Sequence, residues 1–477
     1  MSETRYRPRT DHARLGDGFF DPVEPARFPQ HTLRYRNQRA AASVGLDHLT
    51  DAQWLDHFGR FVPLPGSYDK PLALRYHGHQ FQVYNPDLGD GRGFLFAQLE
   101  DDRGRLLDLG TKGSGRTPWS RGAAGRLTLK GGVREVLATS MLEALGVDTS
   151  KSFSLIETGE ELERGDEPSP TRSSVLVRLS HSHIRIGTFQ RLSYMKDEER
   201  LRTLLDYSVE TYFPGLSPAG DNARAAKFLG AVAESVAATG ARWIAAGFVH
   251  GVLNTDNINI TGESFDYGPW RFLPHYDPGF TAAYFDESGL YAFGRQPDVV
   301  AWNLTRLAEC LLPLGEQAEL EVALNRFWPA FQQAIWAAVL DRLALQSLAN
   351  EADGEFVAKL FEVLHETRAP FEQFFFDWRG GRLSTERAAR SPSASHYASD
   401  AFAPLREMLV SREPASHHNL DHPYFARTTP RSMLIEEMEA IWAPIAERDD
   451  WTLFEQTLRE IDEMREAYGG TAATAAG

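Results

Sequence analysis

The stretch HGVLNTDN at residues 250–257, followed by FDYG at 265–268, decides the fold of this chain. It comes after a long predicted helix, Ala223 to Gly247, whose large apolar residues recur along one stripe. Asn257 and Asp266 offer the hard oxygen donors that Mg²⁺ prefers in proteins. Taken alone, such a stretch is more often an ordinary Asn/Asp turn between a helix and a strand. The choice between a turn and a metal-binding loop therefore depends on the rest of the chain.

A glycine-rich loop upstream supplies the second signal. Lys112 stands at the end of a predicted strand, and seven of the twenty-three residues from Gly110 to Gly132 are glycine, so the backbone can approach a bound anion. The loop does not match the P-loop pattern. Glu135 follows on a helix predicted from Val133 to Leu145. A strand lysine oriented by a helix glutamate is typical of kinase-like folds, so these motifs in this order predict a kinase-like nucleotide site.

One position in the first stretch departs from the pattern of phosphotransferases. Enzymes with an HGD sequence place their catalytic base where this chain has Val252, and a valine side chain cannot accept a proton. If the site is catalytic, Asp256 must supply the base, one residue before the metal ligand Asn257. A nucleotide-binding scaffold without turnover is the alternative that Val252 leaves open.

Arg178 and Arg185 are further candidates for phosphate contacts, because a guanidinium fork matches phosphate oxygens. Seven residues apart on a straight strand they would face opposite sides, so a shared role requires a bend around 180–183. His181 and His183 lie in that segment, but no second ligand group stands at zinc spacing nearby. We therefore expect a polar turn there and no zinc site.

The order of predicted elements indicates an α+β protein with a protein-kinase-like, two-lobed fold. Short strands predominate from Tyr84 onward, including a hairpin around Asp101 to Gly104, and helices predominate after Leu201. We expect a β-rich N-lobe with the nucleotide-binding loop, a helical C-lobe with the catalytic and metal loop, and a helical C-terminal extension. The expected boundaries are 1–70 for an N-terminal lead-in, 71–200 for the N-lobe, 201–345 for the C-lobe and 346–477 for the extension.

Composition and charge exclude several classes of protein. The 477 residues are 42% hydrophobic and 24% charged, which excludes disordered, collagen-like and disulfide-scaffold proteins. Cys310 is the single cysteine, so no intramolecular disulfide can form. Without an apolar leader or spanning segment, we expect a cytoplasmic protein with no membrane partner. The 50 basic against 66 acidic residues give a net charge of −16, which argues against nucleic-acid binding.

Two basic islands depart from this acidic average. Residues 105–134 carry seven basic side chains against one acid, and residues 171–191 carry four arginines and no acid. Such islands need either an anionic partner or internal counter-charges, and a solvated basic face is the simpler interpretation of a charge run. Because the first island contains the glycine-rich loop, we interpret the two islands as favouring one small polyanion.

Several strings of the sequence resemble the SelO/YdiU family of protein adenylyltransferases, which are pseudokinase-fold enzymes. The resemblance runs from about Tyr76 to Leu311 in family order, and beyond Leu311 it is thin. The strings are YHGHQFQVYNPDLGDGRG, LGTKGSGRTPWSRGAAGR, GGVREVL, SHIRIGTFQ, HGVLNTDNINI, FDYGPW and LYAFGRQPDVVAWNLTRLA.

The resemblance implies an enzyme that transfers AMP from ATP to Ser, Thr or Tyr hydroxyls of protein substrates and releases pyrophosphate. In that family ATP lies reversed relative to kinases, so the hydroxyl attacks the α-phosphorus. By position, the resemblance implies Asp256 as the proton acceptor, Asn257 and Asp266 as ligands of Mg²⁺ or alternatively Mn²⁺, and an ion pair of Lys112 with Glu135. The implied nucleotide contacts are Gly89, Gly91, Arg92, Lys112, Gly125, Arg178 and Arg185.

Three positions depart from the family pattern. Ala124 replaces a usual aspartate before Gly125, Gln82 replaces a usual glycine, and Leu290 stands where an arginine often precedes the YAF string. Many members carry a redox-active residue near the C-terminus, whereas this chain reads GGTAATAAG there, so we expect no redox control through an internal disulfide. A kinase-like phosphotransferase and a non-catalytic ATP-binding pseudokinase scaffold are the alternative functions.

Overall fold

The computed structural model describes residues 5–120, 125–165, 167–216, 218, 223–416 and 419–469. Arg121 of the first basic island and Ala124 lie outside the described residues. Within these ranges the chain forms thirteen β-strands and sixteen α-helices.

The strands form one large sheet and two short pairs. In chain order they are β1 Pro8–Arg9, β2 Phe20–Pro22, β3 Thr32–Arg36, β4 Leu72–Leu74, β5 Gly78–Gln80, β6 Val83–Asn85, β7 Leu95–Glu100, β8 Leu106–Lys112, β9 Leu127–Thr128, β10 Lys151–Leu162, β11 Thr171–Ser180, β12 Phe248–Val249 and β13 Arg271–Phe272. The large sheet runs β2-β4-β7-β8-β11-β10-β3, with β1 beside β7 and β9 beside β11. Its strand pairs are antiparallel. β5 pairs with β6, and β12 pairs with β13.

Helices dominate the chain after the sheet. They are α1 Gln38–Ser43, α2 Asp51–Phe58, α3 Leu129–Ala144, α4 Ile186–Tyr194, α5 Glu198–Tyr212, α6 Arg224–Ala245, α7 Gln296–Leu311, α8 Gln317–Leu324, α9 Phe327–Arg342, α10 Glu351–Thr367, α11 Phe371–Trp378, α12 Thr385–Arg390, α13 Ala394–Tyr397, α14 Ala403–Ser411, α15 Ile435–Arg448 and α16 Thr452–Ala467. The long helix expected before the 250–257 stretch is α6, and only one short pair of strands interrupts the helices that follow it.

The hairpin of β7 and β8 brings Lys112 to the site. Its turn closes because the Asp101 carboxylate accepts hydrogen bonds from the backbone N–H groups of Arg103 and Arg105, each at 2.9 Å. The predicted hairpin around these residues is therefore confirmed. Every residue of β8 is buried, so the strand carries Lys112 through the core to the site.

Residues 1–70, which the sequence predicts as a lead-in, contribute three strands to the large sheet. β1 pairs with β7, β2 with β4 and β3 with β10. Helix α2 covers one face of the sheet, where the Trp54 ring stacks on Phe153 with 4.9 Å between centroids. The segment is thus packed into the same sheet as the residues that follow it.

Helix α3 begins four residues earlier than its sequence predicts because Thr128 caps it. The Thr128 hydroxyl accepts a hydrogen bond from the Gly131 N–H at 3.1 Å, which satisfies a donor of the first turn. Gly132 allows the helix to approach the sheet, since a Cβ at this position would lie 2.4 Å from a methyl group of Leu155. Glycines that suggest a loop are therefore part of the helix that carries Glu135.

The last two helices lie against α3 and the sheet. α15 and α16 both pack on α3, and Lys130 pairs with Glu439 of α15 at 2.8 Å. Arg172 of β11 pairs with Asp449 at 2.6 Å and donates a hydrogen bond to the Ile445 carbonyl at 2.9 Å. Helices α15 and α16 therefore cover the outer side of α3, the helix that carries Glu135.

Buried apolar residues lie on both faces of the sheet. One cluster joins the sheet to α3 and α6, and another lies between the opposite face and α2. A third cluster joins α9 to the helices that follow it, through α14. Cys310 is buried in α7, as its helical neighbours predict. The observed fold is a mixture of a large antiparallel sheet and many helices, as the order of predicted elements indicates. No helix in the described ranges is long and apolar enough to cross a membrane.

Candidate functional site

The Asp266 carboxylate is the point at which the predicted site residues meet. Lys112 Nζ donates to Asp266 Oδ1 at 2.7 Å, and Arg178 Nη1 donates to the same oxygen at 3.3 Å. Asn257 Nδ2 donates to the other oxygen at 3.1 Å. Residues from β8, β11 and two loops are therefore brought together around one partly buried carboxylate, although they are up to 154 positions apart in sequence.

Lys112 is held from its other side by Glu135. The lysine ammonium contacts the Glu135 carboxylate, and both side chains are almost fully buried, with exposed fractions of 7% and 2%. Directly after β8 the chain turns at Gly113, which has a φ of 88° that favours glycine. The ion pair that the resemblance implies is present, and it fixes the lysine against the sheet.

The electrostatic environment keeps Asp266 ionised. Burial alone would raise the pKa of its carboxyl, but the surrounding cations, Lys112 first, hold that pKa well below its ordinary value. The site can therefore present a carboxylate across the whole neutral pH range.

The two arginines converge because the chain bends between them. β11 ends at Ser180 and α4 begins at Ile186, so the bend that a shared role requires is present. The Arg185 guanidinium lies 4.2 Å from the Tyr76 ring centroid, and Phe265 lies beneath both Arg185 and Arg178 at 5.1 and 5.4 Å. Stacking on buried rings fixes the planes of the two guanidinium groups beside Asp266.

Arg185 also connects the site to the 89–93 loop. It donates to the Asp256 carbonyl oxygen at 3.2 Å and lies 3.4 Å from Asp90 Oδ1. Asp90 is held in turn by the Leu74 N–H, which donates to its other oxygen at 3.0 Å. One guanidinium thus bridges the loop of the proposed base and the loop of the proposed nucleotide contacts.

Asp256 lies in a short turn that is bonded to the β5–β6 hairpin. The neighbouring Thr255 hydroxyl accepts from the His79 N–H at 2.7 Å and donates to Gln190 Oε1 at 2.5 Å. Gly78 leaves room for the carboxylate, because a Cβ there would lie 3.0 Å from Asp256 Oδ1. The hairpin therefore holds the turn that carries Asp256 and leaves space for its carboxylate.

The residues present fit a hard divalent cation. Asn257 Oδ1 is buried and accepts no hydrogen bond from the described residues, while the amide nitrogen of the same side chain is anchored to Asp266. An amide oxygen without a donor beside an ionised carboxylate is the donor pair that Mg²⁺ takes in proteins. Across the described ranges, no group of three His, Cys, Asp or Glu side chains stands together as a metal site.

The glycine loop predicted to contact the nucleotide is tightly packed. A Cβ at Gly89 would lie 2.4 Å from the Trp119 ring, and a Cβ at Gly91 would lie 3.0 Å from the Trp119 carbonyl oxygen. Arg92 is exposed, and its charge also acts on Asp266. Gly125, with a φ of 67°, lies further along the chain, where a Cβ would meet the Gly115 carbonyl. These glycines are required by close packing, whether or not a nucleotide is bound.

Three cations of the first basic island have internal counter-charges away from the site. Arg105, Arg126 and Lys130 pair with acids away from the site, namely Asp101, Glu160 and Glu439. Among the described residues of the two islands, Lys112, Arg178 and Arg185 are the cations with direct contacts around Asp266 and the Asp256 loop. The local charge excess therefore overstates the number of basic residues available to a ligand.

Sequence reasoning missed Tyr76, Gly78, Asp90 and Phe265. Asp90 stands between the first two glycines of the GDGRG string and Phe265 precedes Asp266, so both were adjacent to predicted residues. Tyr76 and Gly78 carry no local signal, because their role depends on contacts with Arg185 and Asp256 more than a hundred residues away.

Glu263 gives this region a pH-dependent stability. Burial, reinforced by the charge of Asp148, raises the pKa of its carboxyl to about 8, and the carboxyl accepts from the His181 N–H at 2.8 Å. Because the unfolded chain releases this proton near pH 4.3, the folded protein binds more protons between those values and its stability falls as pH rises.

We expect Glu263→Gln to remove this dependence while keeping the hydrogen-bond acceptor. From pH 4 to pH 8, the free energy of unfolding of the variant should rise relative to that of the wild type by roughly 3 to 5 kcal/mol. Urea unfolding at both pH values measures it. Parallel pH profiles of the two proteins would contradict a buried, neutral Glu263.

Comparison with known proteins places the chain among nucleotidyltransferases. The family model described as protein adenylyltransferase SelO matches residues 1–462. The chain is 45% identical to the protein nucleotidyltransferase YdiU of Synechococcus elongatus over 470 residues, covering 94% of this chain and 93% of the relative. A protein of the same name from Synechocystis sp. is 42% identical, and the match covers 94% of this chain and 96% of the relative. Another from Cereibacter sphaeroides is 35% identical, and the match covers 98% of this chain and 100% of the relative. The similarity therefore continues past Leu311, where the sequence strings alone suggest only a thin resemblance.

Proposed function

Because the chain belongs to the SelO family of protein adenylyltransferases, we propose that it transfers the AMP group of ATP to Ser, Thr or Tyr hydroxyls of protein substrates and releases pyrophosphate. Family membership makes the chain an enzyme of the nucleotidyltransferase class. The type of acceptor residue, the roles of single side chains and a cytoplasmic location are parts of the proposal.

The observation that carries the proposal is that Lys112 and Arg178 converge on Asp266 while Arg185 contacts the Asp256 loop. Three cations in one buried site are suited to a triphosphate, whose charge they would neutralise as it moves onto the leaving group. The loop of Gly89, Gly91 and Arg92 and the more distant Gly125 would add further contacts with ATP.

Asp256 would act as the general base. It would accept the proton of the acceptor hydroxyl while that oxygen attacks the α-phosphorus, and the bond from the α-phosphorus to the oxygen bridging to the β-phosphorus would break. The products are an AMP ester on the acceptor and pyrophosphate. Val252 supports this assignment, since its apolar side chain packs against the core and offers no proton acceptor.

Asn257 and Asp266 would hold Mg²⁺, or Mn²⁺ in its place. When bound, the cation would offset triphosphate charge and stabilise the charge that develops on the departing pyrophosphate. Glu135 would act through Lys112, by fixing the lysine ammonium where the phosphates bind.

We also propose the two-lobed, kinase-like layout for this chain, with boundaries at residues 70, 200 and 345. The order of a sheet followed by helices supports it. In that layout the cluster around Asp266 lies between the β-rich and the helical lobe.

A double-label experiment tests the function. The purified chain is incubated with Mg²⁺ and proteins of its own cell, with ATP labelled at either the α- or the γ-phosphate. We expect protein-bound label from α-labelled ATP only. Label from γ-labelled ATP would establish a phosphotransferase instead, and ATP binding without transfer under Mg²⁺ or Mn²⁺ would establish a scaffold.

A further inference from the structure

Four large apolar side chains are exposed beside the Asp256 loop: three aromatic rings in contact with one another, and Val83 two residues after Phe81 in the same hairpin. Phe81 and Val83 have exposed fractions of 37% and 69%, and Tyr284 and Phe285 have 85% and 47%. The Phe285 ring lies 5.9 Å from Phe81 and 5.2 Å from Tyr284, measured between centroids. We call these four residues the apolar rim. Single exposed apolar residues are ordinary, but contiguous ones mark an interaction surface.

The apolar rim is continuous with the loop of the proposed base. The β5 strand begins at Gly78 against the Asp256 carboxylate, and three residues further the Phe81 N–H donates to Asn254 Oδ1 at 3.1 Å. The His79 N–H donates to Thr255 Oγ1 between these points. Strand β5 therefore runs from the Asp256 carboxylate along the 254–256 loop toward the exposed Phe81 ring.

Both parts of the rim are held in place by buried hydrogen bonds. Asp286 accepts from the N–H groups of Leu290 and Tyr291, each at 2.8 Å, which fixes the segment that presents Tyr284 and Phe285. The Tyr291 hydroxyl in turn donates to Asn254 at 2.6 Å. The exposed rings are thus a preformed surface, so binding there loses little conformational freedom.

The shape of the site decides what can occupy this surface. Asp256 is only 8% exposed, so an acceptor hydroxyl reaches it on a protruding segment of chain and not on a flat protein face. From Gly78 to Phe81 is three residues, or about 10 Å at ~3.3 Å per residue of extended chain. An extended segment with its hydroxyl at Asp256 would pass over the rim about three residues away.

We propose that the apolar rim docks the acceptor segment of the protein substrate, by binding an apolar side chain two to four residues from the modified hydroxyl. This inference rests on the proposed AMP transfer and adds a sequence preference to it. Burying one such side chain against the rim would strengthen the capture of suitable segments about tenfold or more.

Matched variants test the role of the rim. Val83→Asp and Phe285→Ser disrupt it, and Val322→Asp and Trp328→Ser are controls with nearly the same exposure, 66% and 48%, on α8 and α9. We expect the two rim variants to bind ATP as the wild type does but to lose at least tenfold in kcat/KM for AMP transfer to cellular proteins. Equal transfer by rim and control variants would overturn the proposal.

A peptide measurement separates this inference from the proposed activity. Fluorescent peptides with one serine and a leucine or an alanine three residues away are titrated into the wild type with a non-hydrolysable ATP analogue. Tighter binding of the leucine peptides, lost in Val83→Asp, supports docking even if no AMP is transferred. Equal binding of both peptide sets overturns docking even if AMP transfer is established. Self-association that the rim variants abolish would assign the surface to a second copy of this chain and also overturn it.

Discussion

Asp256→Asn is expected to lower the rate of AMP transfer by about 10²–10⁴-fold, the range that a general base contributes. Asparagine keeps the size of the side chain against Gly78 but cannot take the proton of the acceptor hydroxyl. ATP affinity should change little, because Lys112, Arg178 and Arg185 remain in place. Transfer of label from α-labelled ATP and equilibrium ATP binding measure the two quantities.

Asp87→Asn is a suitable control for this variant. Asp87 is an exposed carboxylate two residues after β6, and it lies outside the Asp256 loop. It should transfer AMP at the wild-type rate. If Asp256→Asn also retained full activity, another group would be the proton acceptor, and the more severe Asp256→Ala would confirm that conclusion.

Lys112→Met is expected to reduce both stability and activity. It leaves the Glu135 carboxylate, 2% exposed, without its cation, and breaking a buried pair from one side costs about 3–5 kcal/mol. The variant also removes a positive charge that would face the triphosphate. We expect this loss of charge to lower the rate of AMP transfer by about 10²–10³-fold. Urea unfolding and α-label transfer measure these effects.

A double variant separates the two consequences. In Lys112→Met with Glu135→Leu both members of the pair are apolar, and such replacements are often neutral for stability. We expect the unfolding midpoint to recover while AMP transfer remains low. An unchanged midpoint in the single variant would mean that Glu135 is not paired in solution, and recovered transfer in the double variant would remove Lys112 from the site.

The parts of the site that sequence could predict are those set by local spacing. Lys112 follows from a strand that ends in glycines, and Glu135 from a helix that follows the loop. The pairing itself, Lys112 to Glu135, depends on α3 lying close to the sheet, which Gly132 permits. Because kinase-like folds arrange these elements in a fixed order, chain order was sufficient to infer the contact.

Other parts depend on contacts that no local pattern encodes. The convergence of Arg178 and Arg185 requires the bend after β11, and the sequence indicates that a bend is needed but not its direction. Tyr76 and Gly78 act on residues that are far along the chain. The strands of residues 1–70 are two to five residues long, and such short strands form only because partners in the sheet are already present.

The packing of α15 and α16 on α3 has a consequence for how the enzyme matures. These two helices are synthesised some three hundred residues after α3 and its Glu135. During synthesis, α3 therefore lacks the packing of α15 and α16 on its outer side. The proposed site would therefore gain this outer support only after α15 and α16 have been synthesised.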